Sequence, residues 1–233
     1  MIGLSTEIPL SDHRARVARY LRGIDFSFVS VAGRIIEERL PLQYVRDPVR
    51  PGLVLWACAA NKGDLADAVP VAAAFDLFDR FRLLHDELMM GSAAAQARWG
   101  LGQSLNAGDA LCAIAFHTLA SDVRNPGRRL EAARLAGEAV LIAIERRDDD
   151  GFGDAALTGA AMQAGAVIGG ASERVVQSFA RAGRLLAAAQ FAHEAGLARR
   201  YSRQAFATIS RYASGSSVAE FEEVVRYVAQ RAA

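Results

Sequence analysis

Cysteine is scarce in this chain, with two among 233 residues. Cys58 and Cys112 stand singly inside the apolar stretches LWACAA and ALCAIAF, with no CxxC. That excludes a disulfide scaffold or a cysteine zinc site and fits two buried small side chains in a reducing, cytoplasmic setting. An excess of one charge sign is missing as well: 27 Lys and Arg face 26 Asp and Glu, a formal +1. No whole-chain attraction to nucleic acid or an anionic membrane follows, so no nucleic-acid partner is expected. Aromatic residues make up 8% and prolines number 6, while Ala, Leu and Arg are abundant, which favours helices over an all-β sandwich. The N-terminal MIGLSTEIPLSDHRAR has neither a basic nor an apolar signal region, so no signal peptide is expected. One stretch, 155–172, runs 18 residues without a charge, but Ala, Gly, Thr, Gln and Met are too weakly apolar for a transmembrane segment. It reads instead as a helix packed on all sides. With 52% hydrophobic residues, the chain suits one compact domain, 1–233, with a sizeable core.

Turn signals divide the chain into helix-sized pieces. Ser11 and Asp12 are placed to cap a helix to Arg22, and a second amphipathic run covers 26–39. The two prolines of 40–49 mark a connection. Pro51 then starts a helix that ends near Asn61, Lys62 and Gly63. Asp64 opens a charged first turn of a helix to about Met90, with Pro70 one turn in, where it could kink the start. The segment 91–102 leads into a helix over 104–121, and Asn125-Pro126-Gly127 is the clearest break. Helices to Arg147, over 155–172, 173–196, 199–212 and 218–230 complete an all-α bundle of about ten helices with no convincing strand alternation.

Several short segments share an order and spacing. They are Arg50-Pro51-Gly52-Leu53, Leu83-Leu84-His85-Asp86-Glu87-Leu88, Gly100 with Ala107-Gly108-Asp109-Ala110-Leu111, Thr158-Gly159, and Ala189-Gln190-Phe191. Together with Tyr201-Ser-Arg-Gln-Ala and 221–227, they resemble the polyprenyl synthetase (trans-isoprenyl diphosphate synthase) family. The counterparts are its G-K-R-x-R-P-L, L-I-H-D-D-I-x-D, A-I-L-A-G-D-A-L, K-T-G and F-Q-x-x-D-D motifs. The resemblance implies an isoprenoid synthase-type helical bundle. It implies chemistry in which an allylic diphosphate ionises and an isopentenyl double bond attacks the cation. In such enzymes Mg2+ ions held between two aspartate-rich motifs neutralise the departing diphosphate, since hard cations need carboxylate oxygens.

Residue by residue, the resemblance carries over only in part. Asp86 and Glu87 match the leading acid pair, but the third acid falls on Met90, or on Ser92 in the longer spacing. In the second motif Gln190 is kept while His193 and Glu194 replace the aspartates. Arg50 survives, yet the lysine three residues earlier is Asp47, the histidine seven before Asp86 is Asp79, and the lysine before Thr158 is Leu157. The arginine pair after the first motif is absent. The resemblance thus leaves Arg50, Thr158 and Gln190 as vestigial substrate-binding positions and Asp86, Glu87 and Glu194 as the remaining metal candidates.

Helical spacing gives these departures a logic of their own. Asp79, Arg82, Asp86 and Met90 recur at three and four residues and share a face. Arg82 is then placed to pair with Asp79 and Asp86, compensating buried carboxylates without a metal and filling the slot of a prenyl tail. The alternative is an ordinary exposed salt-bridge row. His85, Asp86, Glu87, His193 and Glu194 could also meet as a mixed transition-metal site, although no Glu-x-x-His pair is present. Asp148 to Asp150 reads as a solvated turn and His117 as a packed core residue. The arginine-rich pieces read as solvated faces, and the apolar 104–119 helix, with Leu105, Leu111, Ile114, Ala115 and Leu119, as core or dimer interface.

The leading expectation is a polyprenyl synthetase-like protein of isoprenoid metabolism without prenyl transfer of its own. It would act as a non-catalytic partner of an active prenyl diphosphate synthase, as a homodimer or heterodimer, with no cofactor. One alternative is a divergent prenyl transferase or terpene synthase-like enzyme using Mg2+ at Asp86, Glu87 and Glu194 on an allylic diphosphate. Another is an isoprenoid-binding protein.

Overall fold

The computed structural model describes residues 8–26, 30–39, 47–91, 99–146 and 151–231. Among the described residues there are ten helices and no strand. They are α1 (Ser11–Arg22), α2 (Ser30–Arg39), α3 (Arg50–Ala60), α4 (Leu65–Met89), α5 (Leu101–Asp122), α6 (Pro126–Glu145), α7 (Phe152–Ile168), α8 (Glu173–Gln190), α9 (Ala195–Ile209) and α10 (Ser216–Arg231). The expected all-α bundle is thus the observed fold.

Local signals explain the starts of α3, α4 and α6. The Asp64 carboxylate accepts the Ala66 N–H and the Asn125 side chain accepts the Arg128 N–H, each satisfying a first-turn donor. Pro51 and Pro126 sit in first turns, where a missing N–H costs nothing. α4 runs through the buried Pro70 without interruption.

Other boundaries differ from the sequence reading. Ser11 and Asp12 lie inside the first turn of α1; the cap position is Leu10, at φ 59, with no side-chain cap bond. The helix expected from Phe26 begins at Ser30, and α5 begins at Leu101 rather than 104. The helix expected over 155–172 spans Phe152–Ile168, taking in Asp154 in its first turn, and is buried nearly all round. The helix expected over 173–196 ends at Gln190, and the next begins at Ala195 rather than 199. No proline or glycine marks that break; Gly196 falls inside α9. The Phe191 ring instead packs on Gly151, where a Cβ would come within 2.5 Å of the ring and φ is +73°. Two distant segments therefore set this turn together. Residues 40–46 of the proline-marked connection, Ser92, Arg147 and Asp148 to Asp150 lie outside the described residues.

α4 and α7 form the centre. α4 packs against α1, α3, α5 and α6, while α7 packs against α3, α6 and α8. α8 carries α9 and α10 on its outer side. One apolar core joins Val54, Phe75, Phe78, Leu111, Leu119, Ala136 and Leu157. A second is built on Trp56, stacked with Phe179 at 5.6 Å and Phe221 at 4.6 Å between ring centroids. Its indole N–H donates to the Ser217 carbonyl at 2.9 Å, so the ring is buried without losing its polar bond.

Cys58 is buried and Cys112 half-buried, both as free thiols, and burial pushes the Cys58 thiol up to about 12. On α5, Leu111, Ile114, Ala115 and Leu119 enter the core, whereas Leu105 is exposed. His117, expected in the core, is exposed on the outward side of α5. Arg124 bonds Asp64 and Asp67, and Arg134 bonds Glu131 and Glu138, as expected of solvated faces. No helix among the described residues is long and apolar enough to cross a membrane.

Candidate functional site

Arg50 opens α3, and its guanidinium is 1% exposed. The side chain points into the bundle and meets α4 and α7. Its Nε–H donates to Thr158 Oγ1 at 3.1 Å, Nη1 donates to Asp79 Oδ1, and Nη2 donates to Asp154 Oδ1 at 2.9 Å. Asp47, three residues before Arg50, adds a contact at 3.4 Å and accepts the Val49 N–H at 3.0 Å. Arg82, 5% exposed, reaches the same Asp154 oxygen at 3.3 Å.

The stripe on α4 is inward at Asp79 (0% exposed) and Arg82 (5%), which sets aside the exposed-row alternative for that pair, whereas Asp86 is half-buried and Met90 is 87% exposed. The pairing differs from the expected one. The salt bridge of Arg82 is to Asp154 on α7, while Asp79 is taken by Arg50 on α3. Burying one arginine among three helices lets the carboxylates be shared between elements rather than along one helix.

Among the described residues this cluster holds two guanidiniums and three carboxylates, an excess of one negative charge where water is excluded. Its electrostatics follow from that count. Burial opposes the charge on Arg50, but Asp79, Asp47 and Asp154 more than offset it, and the guanidinium pKa is raised. Burial pushes the Asp79 carboxyl up to about 7 against the pull of Arg50, and the Asp47 and Asp154 carboxylates push the same way. Asp79 Oδ2 is buried without a hydrogen-bond partner among the described residues. Of the cluster's groups, Asp79 is thus the carboxyl that burial drives furthest toward holding a proton.

Sequence reasoning singled out Arg50, Thr158, Asp47, Asp79 and Arg82, and the structure brings these five together. It missed Asp154. The signal was its spacing, four residues before Thr158, which puts both on one face of α7. Gly159 lets α8 close over this face: a Cβ there would stand 2.8 Å from Arg184 Cγ and 3.1 Å from the Ala180 carbonyl.

The metal candidates are less assembled. Asp86 and Glu87 are half-buried near the end of α4, Gln190 ends α8, and Glu194 is exposed at the position before α9. His85 packs against α5, its Nε2 3.5 Å from Asp109 Oδ1, over Gly108, where a Cβ would come within 2.3 Å. His193 and Glu194 lie in the turn that splits the expected helix, so they do not project from a helix as the facing-motif picture requires. Among the described residues no group of three or more His, Cys, Asp or Glu side chains is placed to hold a metal ion. Within the described residues, Asp86, Glu87 and Glu194 are therefore not gathered into one such group.

No family model matches the chain. Among curated proteins, the short chain isoprenyl diphosphate synthase of Methanothermobacter thermautotrophicus is 31% identical over 172 residues, 63% of this chain and 52% of that one. The geranylgeranyl diphosphate synthase of Mycobacterium tuberculosis is 34% identical over 173 residues, 64% and 47% of the two chains. The chain thus spans about half the length of the curated relatives it matches. Among solved structures, a geranylgeranyl pyrophosphate synthetase from the archaeon Geoglobus acetivorans superposes with a TM-score of 0.81 at 16% identity, covering 95% of this chain and 97% of that one. The geranyl diphosphate synthase small subunit from Antirrhinum majus gives 0.75 at 17% identity, covering 94% and 100%. The bundle is the all-α isoprenoid synthase fold. In sequence the chain is similar, over about half of their length, to proteins named as isoprenyl diphosphate synthases.

Proposed function

We propose that this protein is a non-catalytic partner of an active prenyl diphosphate synthase in isoprenoid metabolism, pairing with it and adjusting its activity or product length. The observation that carries this reading is the Arg50 cluster. A site for a diphosphate must present surplus positive charge, because several negative charges have to be balanced before binding or C–O cleavage. Here the surviving arginine is saturated by Asp47, Asp79 and Asp154, and Arg82 is committed to Asp154. A diphosphate entering there would meet the Asp47 and Asp154 carboxylates and the Asp79 carboxyl rather than a free cation. The likeness in fold to a protein named as a synthase small subunit supports the same reading.

A second reading, a divergent prenyl transferase or terpene synthase-like enzyme, draws on the names of the curated relatives, which are synthases. One experiment separates the two. The purified chain is incubated with Mg2+, isopentenyl diphosphate and geranyl, farnesyl or geranylgeranyl diphosphate, alone and after co-expression with a complete synthase from the same cell. The partner reading expects no product from the chain alone, a stable hetero-complex by size-exclusion chromatography, and a changed chain-length distribution. Mg2+-dependent turnover by the chain alone, lost in Asp86→Ala, would replace it with the enzyme reading. Only separate homodimers with every such synthase would overturn it as well.

A further inference from the structure

A second polar cluster lies on a different face of α4. Asp76 and Arg80, four residues apart, are each 3% exposed, and Arg80 Nε donates to Asp76 Oδ2. They form the floor of a cavity of about 430 Å3 between α1, α2, α3 and α4. Its walls are apolar, with Val17 and Leu21 from α1 and Pro51 from the first turn of α3. Its rim is charged: Arg22 and Glu37 are exposed there, and Arg14 stands on the α1 side. The volume lies in the range of about 300–1,000 Å3 that small-molecule sites occupy, and apolar walls with a few convergent polar groups are their usual lining.

The charges specify what fits. Among the described residues three arginines line the cavity with two carboxylates, and one of the two, Asp76, is bonded to Arg80. Arg14 donates from Nη1 to the Ile8 carbonyl at 3.3 Å, but its Nε is buried without an acceptor among the described residues. A buried N–H of that kind is rare unless an acceptor completes it. Burial also lowers the Arg14 pKa from its ordinary value, a cost that an adjacent anion would remove.

We propose that this cavity binds an amphiphilic anion, a compact alkyl body bearing one carboxylate or phosphate head. The alkyl part lies against Val17, Leu21 and Pro51, and the head accepts from Arg14 beside Arg80. This site stands apart from the Arg50 cluster and does not depend on the partner reading.

Decanoate, decyl phosphate, decanol and decyltrimethylammonium are titrated by calorimetry into the full chain and into Arg14→Gln and Ala18→Trp. Ala18 lines the cavity, so the indole fills it. Melting curves of the unliganded variants establish that both fold. Either anion is expected to saturate at one per chain, with the neutral and cationic probes at least about tenfold weaker. Arg14→Gln should weaken the anion about tenfold or more, and Ala18→Trp should abolish binding. Whichever anion binds more tightly identifies the head group. The proposal falls if neither anion saturates, if decanol binds as tightly, or if the folded variants bind like the parent. If Ala18→Trp alone fails to fold, an unchanged affinity in Arg14→Gln still overturns it.

Discussion

The excess negative charge around Arg50 should make stability fall as the medium becomes less acidic. The Asp79 carboxyl has an ordinary pKa of 3.8 and is held at about 7 in the folded chain. The groups facing it are Arg50, Arg82, Asp47 and Asp154. A folded-state pKa above the unfolded one means the native protein holds a proton that the unfolded chain has released. The contribution is therefore complete below about pH 3.8 and is lost as pH rises through about 7. Roughly three units at about 1.4 kcal/mol each give a decline on the order of 4 kcal/mol across that window. Asp79→Asn mimics the protonated acid and cannot titrate; it leaves two carboxylates for two guanidiniums. Urea unfolding of both proteins from pH 4 to 8 isolates the effect, because all other titrations are shared. The parent should lose stability relative to Asp79→Asn as pH rises, and the variant should be the more stable at pH 8. Parallel pH profiles, or a variant clearly weaker at pH 8, would show that Asp79 is ionised throughout and refute the charge count.

Removing the shared cation should be costly: Arg50→Met strands buried carboxylates and is expected to destabilise by about 3–5 kcal/mol, with part recovered in Arg50→Met/Asp79→Asn, measured by chemical denaturation. Trp56→Ala removes the ring between Phe179 and Phe221 and should cost about 3–5 kcal/mol by the same assay. Gly183→Ala would put a methyl 2.4 Å from the Thr158 carbonyl. Separating α7 from α8 should cost about 1–3 kcal/mol, read as a lowered melting temperature.

The elements legible in the sequence were those with chemical punctuation. Asp64, Asn125, Pro51 and Pro126 announce helix starts through groups that satisfy or dispense with first-turn donors. The small-residue, charge-free run from Ala155 onward announced a helix closed in on all sides. The break after Gln190 was not legible, because Phe191 on Gly151 joins segments forty residues apart and leaves no mark in either. His117 was misplaced for a related reason. An apolar neighbourhood along the chain does not say which side of a helix faces out.

The candidate site divides in the same way. Residue types and spacing were enough to set Arg50 beside acidic replacements, to put Asp79 and Arg82 on one inward face, and to mark Thr158 as a relative of that region. Tertiary structure alone chose the partners, giving Asp79 to Arg50 and bringing Asp154 to both arginines. Periodicity fixes direction around a single helix axis, whereas the sharing of a buried charge depends on how far apart three axes pack. That distance is set by volumes and close approaches summed over the whole interior.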